Sequence, residues 1–152
     1  MHIYKLNPTD KNLINQIADW YFQEWAVPKE TTIDRLTKQE TDDILFHLVL
    51  KKDDQVIATG GLHLKVGLIK VHEEFKKYGP WVSMLYCNKN FRNQGIGEFL
   101  LKKIEDDAND LSFSKIYLYT NSAERLYERN NWITAARIVY KGKETVVMEK
   151  EI

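Results

Sequence analysis

Residues 82–97 constrain this chain more than any other stretch. Val82-Ser83-Met84-Leu85-Tyr86-Cys87 is an apolar run of strand length, and Asn88-Lys89-Asn90-Phe91 is a short polar loop. Arg92-Asn93-Gln94-Gly95-Ile96-Gly97 is a glycine-bearing turn that leads into an amphipathic stretch. Strand, turn and helix in that order build an anion site from backbone alone. The first N–H groups of a helix have no partner inside it. Glycine lets a ligand approach them because it has no Cβ, and the helix dipole places about half a positive charge there. Phosphate is the natural guest of such a site. Two well-known phosphate loops are excluded by their residues. Glu98-Phe99 follows Gly97 where a P-loop needs Lys-Ser or Lys-Thr, and a dinucleotide fingerprint needs a third glycine.

The rest of the chain frames this segment. Its 152 residues suit one domain, 1–152, and 43% hydrophobic with 29% charged residues is the profile of a globular protein. Lys plus Arg equals Asp plus Glu at 22 each, so no global field favours nucleic acid or an anionic membrane as partner. Cys87 is the single cysteine, so no intrachain disulfide forms, which suits a reducing compartment. Met1-His2-Ile3-Tyr4-Lys5 lacks the apolar core of a signal peptide, and no run approaches the ~20 apolar residues of a membrane helix. A cytoplasmic protein is the expectation.

Periodicity supplies the element order. His2 to Leu6 reads as a strand. Thr9 or Asp10 caps a helix to about Trp25, with Leu13, Ile14, Ile17, Ala18, Tyr21 and Phe22 at helical spacing. Thr31 or Thr32 caps a second helix carrying Ile33, Leu36 and Gln39. Phe46 to Lys51 and Gln55 to Leu64 form a hairpin around Asp53-Asp54, and Gly60-Gly61 signals a bulge or a close backbone approach. Val66 to Gly79 reads as loop with a short strand at Gly67 to Val71. Trp81 to Cys87 is a strand, and Gly95 to about Asn109 is a helix that buries Ile96, Phe99, Leu100 and Ile104. Lys115 to Thr120 is a strand, Ser122 or Asn121 caps a helix to Arg129, and Trp132 to Tyr140 with Glu144 to Glu149 makes a last hairpin around Lys141-Gly142-Lys143. The pattern predicts a mixed α/β (α+β) fold with a central mixed sheet flanked by helices. The two strands around the long helix should run parallel.

Arg-x-x-Gly-x-Gly after an apolar strand resembles the coenzyme A pyrophosphate loop of the GNAT superfamily of N-acetyltransferases. A second anchor lies after Lys115-Ile116-Tyr117-Leu118-Tyr119-Thr120. There Ala123-Glu124-Arg125-Leu126-Tyr127 followed by Asn131-Trp132 looks like the GNAT ending, in which Ala precedes a Leu-Tyr pair and then Gly with an aromatic residue. The resemblance covers residues 81–150. Pro80-Trp81 and Tyr140-Lys141-Gly142 are similar to one bacterial subgroup, and the first 75 residues agree in element order only. Asn131 stands where the family has Gly. Asn is the residue that best replaces Gly in a left-handed helix cap.

The resemblance implies acetyl-CoA as cofactor and a small-molecule or peptide amine as acceptor, and monomer and homodimer both stay open. It implies that the backbone of Leu85, Tyr86 and Cys87 pairs with the pantetheine arm, and that Arg92, Asn93, Gln94, Gly95, Ile96 and Gly97 cradle the pyrophosphate. A backbone N–H on that strand would polarise the thioester carbonyl. Lys89 is a solvated loop lysine or an added charge for the pyrophosphate. Asn121 either contacts the cofactor or serves as an N-cap. Tyr127 is implied as general acid, handing a phenolic proton to the departing thiolate. The general base is unassigned among His63, His72, Glu73 and Glu74, upstream where the acceptor should approach. No metal is expected, since His63 and His72 lack partners at ligand spacing. Two other functions stay open: an acyl-CoA sensor without chemistry, and an interaction module in which the glycine turn merely starts a helix.

Overall fold

The computed structural model describes residues 1–38 and 43–152. Gln39, assigned to the second helix by its spacing, lies outside them. The elements are β1 (His2–Lys5), α1 (Lys11–Trp25), α2 (Lys29–Thr37), β2 (Ile44–Lys52), β3 (Gln55–His63), β4 (Trp81–Cys87), α3 (Ile96–Asp110), β5 (Lys115–Thr120), α4 (Glu124–Arg129), β6 (Ile133–Tyr140) and β7 (Lys143–Glu151). They build a seven-stranded sheet in the order β1-β2-β3-β4-β5-β7-β6, flanked by helices as the sequence predicted. Among the described residues no helix is long and apolar enough to cross a membrane.

Every strand pair is antiparallel except β4 with β5, the two strands that flank α3. That parallel contact is confined to Trp81 opposite Tyr117, where the Tyr117 N–H donates to the Pro80 carbonyl at 3.0 Å. Beyond it no pairing between β4 and β5 continues, so the sheet opens toward Cys87 and Thr120. This opening creates the site described below.

One face of the sheet packs on α3, where Ile96, Leu100, Leu101, Ile104 and Ala108 meet Leu48, Leu50, Ile57, Leu118 and Met148. The other face packs on α1 and α2 through Leu13, Ile14, Ile17, Tyr21 and Leu36. Asp10 caps α1 by accepting from the Leu13 N–H at 3.2 Å. Gly61 is required by close approach: a Cβ there would stand 2.5 Å from His47 Nδ1 and 2.7 Å from the Phe46 carbonyl. Gly60 faces a bulge in β4, where Leu85 Cα would meet an added Cβ at 3.2 Å.

Several local expectations are corrected. Thr31 and Thr32 do not cap α2. The helix starts earlier, behind Pro28, whose carbonyl accepts from both their N–H groups, and Thr32 is fully buried. Pro fits there because its fixed φ suits a helix entry and its missing N–H costs nothing. Gly67 to Val71 is not a strand; Gly67–Lys70 is a 3-10 turn that buries Leu68 beside Phe75 and Trp81. Phe99 is 49% exposed, and Leu101 takes the buried place expected of it. Phe22 is likewise exposed at 50%. Neither Ser122 nor Asn121 caps α4, since the Thr120 hydroxyl accepts from the N–H groups of Ser122 and Ala123 instead. Asn131 does adopt the left-handed conformation expected of it, with φ 69°.

Candidate functional site

The gap between β4 and β5 is the floor of a large open groove of about 1800 Å³. One wall is the end of α1 and the two residues after it, from Phe22 to Val27. The start of α3 and the whole of α4 close the other side, and β6 and β7 continue the surface. The two segments singled out from the sequence, 82–97 and 121–127, therefore face each other across one space.

Leu85, Tyr86, Cys87, Arg92, Asn93, Gly95, Ile96, Gly97, Asn121 and Tyr127 all line it. Gln94 is exposed but does not line the groove. At the turn, Asn93 and Gly95 take positive φ of 62° and 76°, which brings successive backbone amides to the start of α3. Phe99 is the first residue whose N–H closes a helical bond, to the Gly95 carbonyl at 3.0 Å. Among the described residues, no amide from Asn93 to Glu98 donates to a carbonyl or side chain of the protein. A Cβ placed on Gly95 or Gly97 would meet nothing within 4 Å. The arrangement is a concave set of free donors at the positive end of a 15-residue helix. It fits a pyrophosphate.

Arg92 is occupied otherwise. Its Nε donates to the Cys87 carbonyl at 2.9 Å, its Nη2 pairs with Glu24 Oε1 at 3.3 Å, and its guanidinium lies 5.2 Å from the Tyr86 ring centroid. It pins the end of β4 to α1, and Trp20 stacks on the same Tyr86 ring. Lys89 sits on the exposed 3-10 turn Lys89–Phe91 and does not line the groove.

Cys87 donates weakly to the Asn88 and Phe91 carbonyls, and burial raises its thiol pKa against the opposing pull of Arg92. It remains a thiol rather than a nucleophilic thiolate. Tyr127 is buried on α4 against Trp132, with ring centroids 6.0 Å apart. Its hydroxyl has no hydrogen-bond partner among the described residues, and burial alone pushes its pKa up to about 12. It is thus a protonated phenol at neutral pH, facing a groove. Asn121 is exposed on the β5–α4 connection.

The base candidates are not brought together. None of His63, His72, Glu73 and Glu74 lines the groove. His72 is spent on tying its loop down, bonding Glu74 at 3.2 Å and the Val139 carbonyl at 2.8 Å. His63, the last residue of β3, is fully buried and bonds Arg35 of α2. Five carboxylates line the groove: Glu24 pairs with Arg92, Glu98 with Arg129 and Glu124 with Arg137, and Glu128 and Glu144 are the other two. Among the described residues no cluster of three or more His, Cys, Asp or Glu is placed to hold a metal ion.

The first helices were expected to shape the acceptor pocket, and Phe22 to Val27 and Arg35 do line the groove, but sequence reasoning missed Tyr119 and Tyr140 at its far end. Tyr119 and Tyr140 meet edge to face at 5.6 Å. The signal was there in the aromatic richness of α1 and β5, but nothing in their spacing says that the two elements share a cavity.

The profile of the family described as "Acetyltransferase (GNAT) family" matches residues 14–132. Solved structures share the fold across nearly the whole chain. An aminoglycoside 6'-N-acetyltransferase complexed with coenzyme A aligns with TM-score 0.77 at 14% identity, covering 99% of this chain and 97% of the other. A ribosomal-protein-alanine N-acetyltransferase from Brucella melitensis aligns with TM-score 0.76 at 15% identity, covering 100% of both chains. The PaiA N-acetyltransferase from Thermoplasma acidophilum, in complex with coenzyme A, aligns with TM-score 0.69 at 17% identity, covering 99% and 98%. Among curated proteins, none matches this sequence.

Proposed function

The chain belongs to the acetyltransferase (GNAT) family, and from that premise we propose that it transfers acetyl from acetyl-CoA to the primary amine of a small molecule or peptide. Residues 1–152 act as one catalytic domain in this reading, cytoplasmic and working as a monomer or homodimer. Acetyl-CoA supplies an acetyl thioester, whose C–S bond breaks as a C–N bond forms to the acceptor amine. The observation that carries the proposal is the run of unpartnered amides from Asn93 to Glu98, whose residues, Gln94 apart, line the same groove as Leu85 and Tyr127.

Each residue then has a physical task. The amides of 93–98 hold the diphosphate, with the α3 dipole adding to them. The open edge of β4 at Leu85 to Cys87 hydrogen-bonds the pantetheine arm as an added strand. Asn121, exposed on the opposite rim, contacts the same arm. Tyr127 gives its phenolic proton to the departing sulfur, and the proton that the amine loses restores it, so no charge accumulates. Arg92 shapes the turn and spends its charge on Glu24.

Isothermal titration with acetyl-CoA tests the proposal. Saturable heat supports it, and no heat at high micromolar acetyl-CoA would remove it. One observation favours a second reading, an acyl-CoA sensor without chemistry: none of His63, His72, Glu73 or Glu74 lines the groove. Release of free thiol on incubation with a panel of amines separates the two.

A further inference from the structure

A continuous chain of polar side chains is buried between the sheet and the α1–α2 layer. Tyr21, His47, Thr59 and His63 are each 1% exposed or less. The steps assigned above use none of them.

The direction of every link follows from the donor inventory. Arginine only donates. Arg35 Nη2 lies 3.1 Å from His63 Nδ1, so that nitrogen accepts. A neutral imidazole has one proton, which then sits on His63 Nε2, 3.3 Å from His47 Nδ1. His47 in turn carries its proton on Nε2, 2.9 Å from Thr59 Oγ1 and, in a longer contact, 3.5 Å from the Tyr21 hydroxyl. Thr59 donates onward to the Leu48 carbonyl at 2.9 Å. Tyr21 donates to the Met84 carbonyl at 2.7 Å.

Neutrality of both rings is physically required. Burial lowers the pKa of His47 and His63, and the charge of Arg35 lowers each further. Asp43, 3.1 Å from Arg35 Nη2, is the carboxylate at the outer end, and the Tyr86 and Trp25 rings pack on Tyr21 at the inner end. Gly61 makes the histidine contact possible, because a Cβ there would lie 2.5 Å from His47 Nδ1 and 3.0 Å from His63 Nε2.

The chain ends on an unusual peptide. Met84 has φ 60°, the left-handed region that a methionine rarely adopts. Met84 and Leu85 are the two residues of β4 left off the ladder, since Ser83 pairs with Gly61 and Tyr86 with Thr59. Strain of this kind persists only where surrounding contacts hold it, and the Tyr21 hydroxyl is such a contact. In a trans peptide the N–H points opposite to the C=O. With the Met84 carbonyl drawn toward α1, the Leu85 N–H points away from α1, and Leu85 lines the groove.

We propose that Tyr21 is a positioning residue: its hydroxyl, set by the Arg35–His63–His47 chain, anchors the Met84 carbonyl and so aims the Leu85 N–H at the thioester carbonyl. This role rests on the acetyltransferase reading. Each link polarises the next, so the positive end at Arg35 makes Tyr21 a better donor, and a carbonyl that accepts strongly leaves its peptide N–H a better donor in turn. The thioester oxygen gains negative charge as the amine attacks, and a fixed donor stabilises that charge without reorganisation.

The test compares the wild type with Tyr21→Phe, which keeps the ring and removes the hydroxyl. In the free proteins, long-range 1H–15N spectra of the wild type should show His47 and His63 as neutral Nε2–H tautomers, and the Leu85 amide proton should move upfield in Tyr21→Phe. With acetyl-CoA labelled with 13C at the carbonyl, the infrared band of the bound thioester should lie below its position in water for the wild type. In the variant the band should return toward the water value. Affinity for acetyl-CoA and KM for the acceptor should stay within twofold while kcat falls about tenfold, short of the full loss of an oxyanion donor. An Nδ1–H tautomer at either histidine, or a carbonyl band at the same frequency in both proteins, would overturn the role of Tyr21 and leave the acetyltransferase reading standing. Failure of both proteins to bind acetyl-CoA would overturn that reading and this role together.

Discussion

Arg92 at the mouth of the glycine turn reaches back to Glu24 at the end of α1, with 3.3 Å between Nη2 and Oε1. The residue that the motif marks as a phosphate ligand is thereby a brace between β4, α1 and the turn. Glu24→Gln leaves the brace in place and frees one positive charge beside the groove. Its stability in urea should change by less than about 1 kcal/mol, as for exposed ion pairs. Coenzyme A should bind up to about fivefold more tightly at low salt, an effect that fades as salt screens it. Arg92→Ala strips the donor from the Cys87 carbonyl and should cost about 1–2 kcal/mol in the same denaturation experiment.

Tyr127 has an unpartnered hydroxyl and a pKa that burial pushes up to about 12. A phenol of that kind stays protonated throughout the physiological range. Tyr127→Phe should therefore lower kcat by about 100-fold or more, the span of general acid catalysis, with coenzyme A affinity unchanged by titration. The rate of the wild type should show no fall on the alkaline side between pH 7 and 10 that disappears in the variant. Equal kcat in the two proteins at every pH would discard the acid role.

The buried histidine pair makes acid stability a prediction. Burial holds His47 down at about 3 and His63 well below the ordinary histidine value, whereas both titrate near 6.5 in the unfolded chain. Below pH 6.5 the unfolded state binds more protons, so stability is complete above that pH. It is lost progressively as pH falls toward 3. The limiting slope is about 1.4 kcal/mol per pH unit for each histidine. Thermal melts between pH 7 and 4.5 should fall more steeply for the wild type than for His63→Gln, even if that variant starts from a lower melting temperature. Parallel curves would contradict the account.

What could be read from the sequence is what local chemistry dictates. The strand, turn and helix of 81–110 follow from residue order, because glycine, positive φ and helix-start amides are neighbours in the chain. Asp10 as a cap and Asn131 in the left-handed region are local in the same sense. The misses depend on distant partners. Phe99 has helical spacing for burial but faces outward, because the sheet lies toward Leu100, Leu101 and Ile104. Gly67–Lys70 has strand-like residues but turns as a 3-10 segment to bury Leu68 against Phe75 and Trp81. His47 and His63 lie 16 residues apart and meet only because β2 and β3 pair in a register that sets Gly61 beside them. Arg92 meets Glu24 across 68 positions of chain, which no spacing argument sees.

Gly97 offers the most direct measurement. It lies in the first turn of α3, and an added Cβ meets no protein atom within 4 Å. Gly97→Ala should therefore keep the fold and gain about 0.5–1 kcal/mol, since alanine suits a helix better. The same methyl would stand where the diphosphate of coenzyme A has to approach the amides. Isothermal titration of coenzyme A into both proteins, alongside their thermal melts, should show saturable binding by the wild type. The variant should melt at an equal or higher temperature and bind at least about tenfold more weakly, a loss of about 1.4 kcal/mol. A wild type that takes up no coenzyme A, or a Gly97→Ala variant that binds it equally well, would contradict the claim that these amides hold the cofactor.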